Sequence, residues 1–272
     1  ATSLNNLAII LQVQGQLAAA EPLYRRSLSI REKALGPDHL DVAGILNNLA
    51  VLLEYQGQYA AAETLSRRSL AISEKAMGPD HPDVATSLIN LALLMQARGQ
   101  IAAAEPLYRR SLAIREKALG PDHPDVAVSK NNLAQLLNNL GQYAAAETLH
   151  RHSLSILEKA LGPDHPDVAT GLGNLALLLK EQGKYAAAEP LLRRALAIHE
   201  KALGPHHPDV AIGLNNLALL LQDEGQPAAA EPLLRRALAI RKKAMGPEHL
   251  DVATVLSELA DLLNNIGQKD KA

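Results

Sequence analysis

The chain has 272 residues, with 27 basic side chains against 29 acidic ones, six tyrosines, and no Phe, Trp or Cys. The near-cancelling charge excludes a global field that would draw in nucleic acid or an anionic membrane, and the absence of cysteine excludes disulfides, thiol catalysis and thiolate metal sites. With aromatics so scarce, burial must come from Ala, Leu, Ile and Val in many small contacts, which fits thin packing layers better than one thick core.

In chain order, Leu4, Leu7, Ala8 and Leu11 form one apolar stripe at helical spacing, and Gly15 ends that helix. A second helix is predicted from residue 17 to about 35, with Ala20, Leu23, Tyr24, Leu28, Ile30, Ala34 and Leu35 as its buried face. Gly36-Pro37 stops it, because glycine accepts the left-handed cap and proline refuses continuation. The phrase Gly-Pro-Asp-His, or a close variant, then recurs with its glycine at 78, 120, 162, 204 and 246, a period of 42 that never slips. Six full repeats follow, 1–42, 43–84, 85–126, 127–168, 169–210 and 211–252, and residues 253–272 begin a seventh that stops halfway. Pro227 marks the start of a second helix, since proline is best tolerated at the first helical position. The half repeat carries Ser257, Glu258 and Asp261 where other repeats place mostly Asn, Asn and an aliphatic residue, which is expected of a solubilising capping helix. Neither helix of a pair can bury its stripe alone, so the prediction is an all-α solenoid of stacked helix-turn-helix units.

The pattern Leu7-Ala8, Gly15, Ala20, Tyr24 and Ser27 resembles the tetratricopeptide signature, although the repeat is longer than the common one. The wording of residues 104–127, AEPLYRRSLAIREKALGPDHPDVA, is similar to the tetratricopeptide repeats of kinesin light chains and their bacterial relatives. The resemblance covers the whole chain. It implies a right-handed superhelix whose concave groove, lined by first helices, receives a protein or extended peptide without catalysis or cofactor. Motor transport is not implied, because the heptad coiled coil of such proteins is missing from this chain.

With residues numbered 1–42 within each repeat, the family's groove positions are 2, 5, 6, 9, 12 and 13. Position 6 is Asn in all six full repeats: Asn6, Asn48, Asn90, Asn132, Asn174 and Asn216. A carboxamide offers two donors and an acceptor, so such a ladder can pair with the backbone of an extended peptide while ignoring its sequence. The competing expectation is that each Asn bonds to a neighbouring backbone group and fixes how hairpins pack. Repeat four departs from the rest, with Lys130 in place of Leu, then Asn131, then Gln135 in place of an aliphatic residue, then Asn138. A lysine there either extends its ammonium over the groove and favours an acidic ligand, or only snorkels. Gly171 and Gly173 in repeat five weaken a helix, and either tight packing or close approach by a ligand compensates.

Other signals point elsewhere. Gly171-Leu-Gly173-Asn-Leu-Ala176 matches a dinucleotide fingerprint but lies inside a predicted helix rather than after a strand. The histidines at 39, 81, 123, 165, 207 and 249 fall once per repeat, in a spaced row, so they are expected to cap helices rather than hold a metal. The arginine pairs beginning at Arg25-Arg26 follow Glu21 at helical ion-pair spacing, which points to a self-paired solvated face rather than phosphate recognition. No nucleophile, base and oxyanion donors assemble. The expectation is a cytoplasmic binding scaffold, either monomeric or weakly self-associating end to end. The alternatives are a structural module that oligomerises through its ends or convex face, and a sensor array for an attached effector domain.

Overall fold

The computed structural model describes residues 1–269. Among these the chain forms thirteen α-helices and no strand: α1 (Thr2–Val13), α2 (Leu17–Leu35), α3 (Leu40–Tyr55), α4 (Tyr59–Met77), α5 (Pro82–Ala97), α6 (Ile101–Leu119), α7 (Pro124–Asn139), α8 (Tyr143–Leu161), α9 (Pro166–Glu181), α10 (Tyr185–Leu203), α11 (Pro208–Asp223), α12 (Pro227–Met245) and α13 (Leu250–Lys269). Odd-numbered helices are the first helices of hairpins and even-numbered ones the second, so the all-α tandem array is present as expected. The chain divides into two compact units, Ala1–Leu136 and Leu137–Ala272, here called the N-terminal and C-terminal halves.

Each helix boundary has a local cause. His81 caps α5 by accepting the Asp83 amide on its imidazole Nδ1 at 3.2 Å, and Pro82 occupies the first turn, where its missing N–H costs nothing. His39, His165 and His207 cap α3, α9 and α11 in the same way. These caps start each first helix a few residues before the 42-residue boundary counted from the chain start. At the other end of the hairpin turn, Gly15 has φ of 74° while the Gln16 amide reaches back to the Leu11 carbonyl at 2.8 Å, a left-handed closure that needs glycine. Pro22, Pro106, Pro190 and Pro232 lie inside second helices that are 19 residues long, the same length as α4 and α8, which carry Thr64 and Thr148 there.

The two helices of a hairpin touch through alanine. Ala8 and Ala20 are both fully buried, as are their equivalents Ala92 and Ala104, Ala176 and Ala188, and Ala218 and Ala230. Around them leucines close the layer. Leu46, Leu49 and Leu53 of α3 are sealed, whereas Leu7 of α1 is 46% exposed.

The predicted buried face of the second helix needs two corrections. Ile30, Ala34 and Leu35 are exposed, whereas Ile72, Ile114, Ile156, Ile198 and Ile240 at the position of Ile30 are buried, Ile72 in a cluster with Val42, Ala43 and Leu46 of α3. Leu35 lies in the final turn of α2, which at 19 residues outlasts the 12 of α1. Conversely, Ser27 and Ser69 are buried although polar, because each hydroxyl donates to a first-helix carbonyl, at Ala1 and Ala43.

The arginine pairs do two separate jobs. The first member pairs along its own helix, as in Arg25 with Glu21, Arg67 with Glu63 and Arg109 with Glu105. The second reaches the preceding repeat: Arg68 pairs with Glu32 at 2.7 Å and donates to the Pro37 carbonyl, and Arg110 does the same with Glu74 and Pro79. In the C-terminal half Arg194 and Arg236 repeat the clamp on Glu158 with Pro163 and on Glu200 with Pro205.

In the half repeat, Ser257 and Asp261 are exposed and Glu258 is half-buried, accepting from Asn215 at 3.4 Å. Residues 270–272 of that predicted element lie outside the described residues.

Candidate functional site

The polar positions of the first helices are used first to stitch those helices together. Asn48 donates to the Asn5 carboxamide oxygen at 3.2 Å, and Asn90 to that of Asn47 at 3.1 Å, so position 6 bonds to position 5 of the preceding repeat. The partner is a neighbouring side chain rather than backbone. Each of these asparagines keeps a second amide hydrogen, since one carboxamide carries two. The stitch needs a carboxamide at position 5, and Ile89 and Gly173 stand there in repeats three and five, so neither Asn132 nor Asn216 has that partner. Asn6 is exposed, and Asn132, Asn174 and Asn216 are half-buried.

A second row of links runs two turns further on. Asn138 donates to Glu181 at 2.7 Å and Lys180 pairs with Asp223 at 2.9 Å, each joining position 12 to position 13 of the next repeat. Asn138 is only 7% exposed. Within hairpins, Tyr24 and Tyr108 donate their hydroxyls to Gln12 and Gln96 at the same position.

Lys130 stands where Leu46, Leu88, Leu172 and Leu214 are sealed in the core. Its side chain is 12% exposed and its ammonium meets Glu116 at 2.6 Å. Glu116 is the equivalent of Glu32 and Glu74, which arginines clamp, but repeat four has His152 in place of that arginine. The lysine therefore fills a leucine slot with its stem and neutralises a glutamate with its head. Asn131 is half-buried and Gln135 is exposed, and both are engaged by other groups.

The repeats also differ at position 31, where the second helix faces the start of the next first helix. Arg31 pairs with Asp41 at 3.1 Å and donates to the Thr2 hydroxyl at 2.7 Å. Arg115 donates to the Asp125 carbonyl, Ser129 and Thr86; burial pushes its pKa down and the charge of Asp125 opposes that. Arg241 donates to the Asp251 carbonyl. In repeat five this residue is His199, and alongside it Gly173 and Ala195 replace the Asn5 and Ser27 of repeat one. Three side chains shrink at one corner. There a hollow of about 230 Å³ lies between α9, α10 and α11, walled by Leu177, Leu192, Ala195 and Ile212, with Asn174 and Asn216 along it and His199 and Asp209 beside them.

Two glycines of repeat five thus differ in role. A Cβ at Gly171 would rest in ordinary contact with Leu154 and Leu157, whereas one at Gly173 would meet nothing within 4 Å. Open space, not tight packing, surrounds Gly173. The sequence signal was available: a glycine at a groove position, in the same repeat as a histidine at an arginine position.

Among the described residues no group of three or more His, Asp or Glu converges on a point, and no helix is long and apolar enough to cross a membrane.

Comparison with known proteins follows the same lines. The family described as tetratricopeptide repeat matches at residues 1–75, 41–117, 85–138, 125–201, 167–243 and 209–272, which together span the chain. A kinesin light chain from Podosopora anserina with nearly identical tetratricopeptide-like repeats is 30% identical, with a TM-score of 0.63 over 76% of this chain and 98% of its own. BtubC (BKLC) from P. vanneervenii shares the fold at 24% identity and TM-score 0.68, covering 87% of this chain and 93% of its own. The apo form of RapI shares it at 15% identity and TM-score 0.63, covering 100% of this chain and 99% of its own. No curated protein matches the chain.

Proposed function

Since the chain belongs to the tetratricopeptide repeat family, whose fold generally mediates protein–protein interaction, we propose that it is a non-catalytic cytoplasmic scaffold holding an extended peptide against its first helices. The observation that carries this is the pair Asn174 and Asn216, which face an open hollow, Asn216 lacking the inter-repeat partner that holds Asn48. With Asn6 and Asn132 they form the gripping set, while Asn48 and Asn90 divide their amide hydrogens between a neighbour and the ligand. In repeat four Asn131 and Gln135 contribute to selectivity. Lys130 and Asn138 contribute through packing, because both are committed to glutamates. A preference for acidic ligands loses its basis once the ammonium of Lys130 is neutralised.

The test is a peptide array probed with the chain, followed by titration of the selected peptides against the Asn174→Ala/Asn216→Ala variant. Two lost hydrogen bonds at about 1 kcal/mol each predict a roughly thirtyfold weaker Kd. Unchanged affinity rejects the groove.

A second reading, in which copies stack end to end, draws on the apolar face that α1 leaves uncovered, with Leu7, Ile10 and Val13 all exposed. Light scattering across a concentration series separates the two, and a constant monomer mass removes the stacking.

A further inference from the structure

We infer that the hollow between α9, α10 and α11 seats an arginine side chain of the bound partner, an inference that rests on the groove reading and names the side chain recognised there. The argument comes from the chain's own repeats. At the equivalent corner Arg31 supplies a guanidinium to Asp41, and Arg115 and Arg241 donate to the carbonyls of Asp125 and Asp251. The fold therefore builds a guanidinium seat three times and fills it from within. Repeat five builds the same corner and leaves the guanidinium out, with His199 in its place.

The acceptor side of the seat is intact. Asp209 stands where Asp41 does, and among the described residues no Lys or Arg reaches its carboxylate. His207 Nδ1 lies 3.5 Å from it, but that nitrogen is engaged as the acceptor of the Asp209 amide. A cation is what the corner lacks. The walls suit the rest of an arginine: Leu177, Leu192 and Ile212 offer an apolar passage for its three methylenes. The carboxamide oxygens of Asn174 and Asn216 are further acceptors, and the His199 ring offers a face on which a planar guanidinium stacks. At about 230 Å³ the space falls below the ~300–1,000 Å³ usual for small-molecule sites, and suits a single side chain.

Two related corners are less suitable. The hollow beside Arg31, of about 270 Å³, has its carboxylate already occupied. That beside Ser73, of about 260 Å³, leaves Asp83 without a Lys or Arg, but Ser69, Ser73 and Ser87 stand among Leu40, Ala43 and Met77 in its lining, a more polar wall for an aliphatic stem.

The experiment titrates the full chain with N-acetyl-Ala-Ala-Arg-Ala-Ala-amide and with the same peptide carrying citrulline, which keeps the shape and removes the charge. The arginine peptide is expected to bind at least roughly tenfold more tightly, the order that a hydrogen bond to a charged group contributes. Asp209→Asn should erase the difference. His199→Arg, which installs a residue the fold already accepts at Arg31, Arg115 and Arg241, should block the peptide while circular dichroism stays unchanged. Equal binding of the two peptides, absence of arginine-peptide binding at millimolar concentration, or undiminished binding by the His199→Arg variant overturns the inference. The groove reading is judged separately, by whether arginine-free peptides from the array respond to Asn174→Ala/Asn216→Ala.

Discussion

His150 occupies the place that Tyr24 and Tyr108 hold in repeats one and three, and it is 1% exposed. Burial pushes its pKa down from 6.5 to about 4, so the folded ring stays neutral where the unfolded one takes up a proton. The stability this represents is complete above about pH 6.5 and is lost as the pH falls toward about 4, amounting to roughly 3 kcal/mol. Replacing it with leucine, which repeats five and six carry there as Leu192 and Leu234, should flatten the urea midpoint between pH 7 and pH 4 relative to wild type. An equal slope in both proteins would refute the assignment. At this scale the sequence was only partly legible. The asparagine ladder could be found by counting, but its bonds to position 5 of the preceding repeat link residues 43 apart in sequence, a pairing that only the stacking distance of hairpins sets. Lys130 was conspicuous as an exception, yet its role depends on His152, a second exception 22 residues later that removes the usual partner of a third residue, Glu116.

The elements were the most legible level, because each boundary is enforced by chemistry inside a few residues. Gly15 and Gly36 terminate helices, Pro82 opens one, and the recurring histidine supplies the cap. The buried face of the second helix was misjudged at its end, since periodicity continues through Leu35 whether or not a partner lies opposite. Hydropathy also hid the buried serines, whose hydroxyls are satisfied by first-helix carbonyls. The caps carry a direct prediction. His81→Ala leaves the first amides of α5 short of an acceptor and should cost about 1 kcal/mol by chemical denaturation, while His81→Asn should recover most of it. If alanine proves neutral, the contact is incidental.

Across the molecule, packing is local in sequence. Within each half the contacting helix pairs are consecutive ones, with first helices of adjoining repeats as the only additional pairs described. Stability in such an array approximates a sum of repeat and interface terms, so damage should spread by proximity. Leu262→Ala, which empties a sealed position in α13, should cost roughly 2–5 kcal/mol locally. Native-state hydrogen exchange should then quicken most in α13 and α12 and least in α9; uniform acceleration across these helices would show a single cooperative block instead. The period of 42 made the tandem architecture readable before any contact was known. The hollow was legible only as separate signals, because Gly173, Ala195 and His199, spread over 26 residues, meet at one corner only once the hairpins stack.

The arginine clamp on the preceding Glu and Pro carbonyl has a consequence for how such a chain can change. The joint is written in the same residues at Arg68, Arg110, Arg194 and Arg236, so the front of one repeat fits the back of almost any other. Whole 42-residue cassettes can be duplicated, deleted or shuffled without redesigning a junction. Repeat four is the exception to that interchangeability, since it carries His152 in place of the clamping arginine and Lys130 meets Glu116 instead.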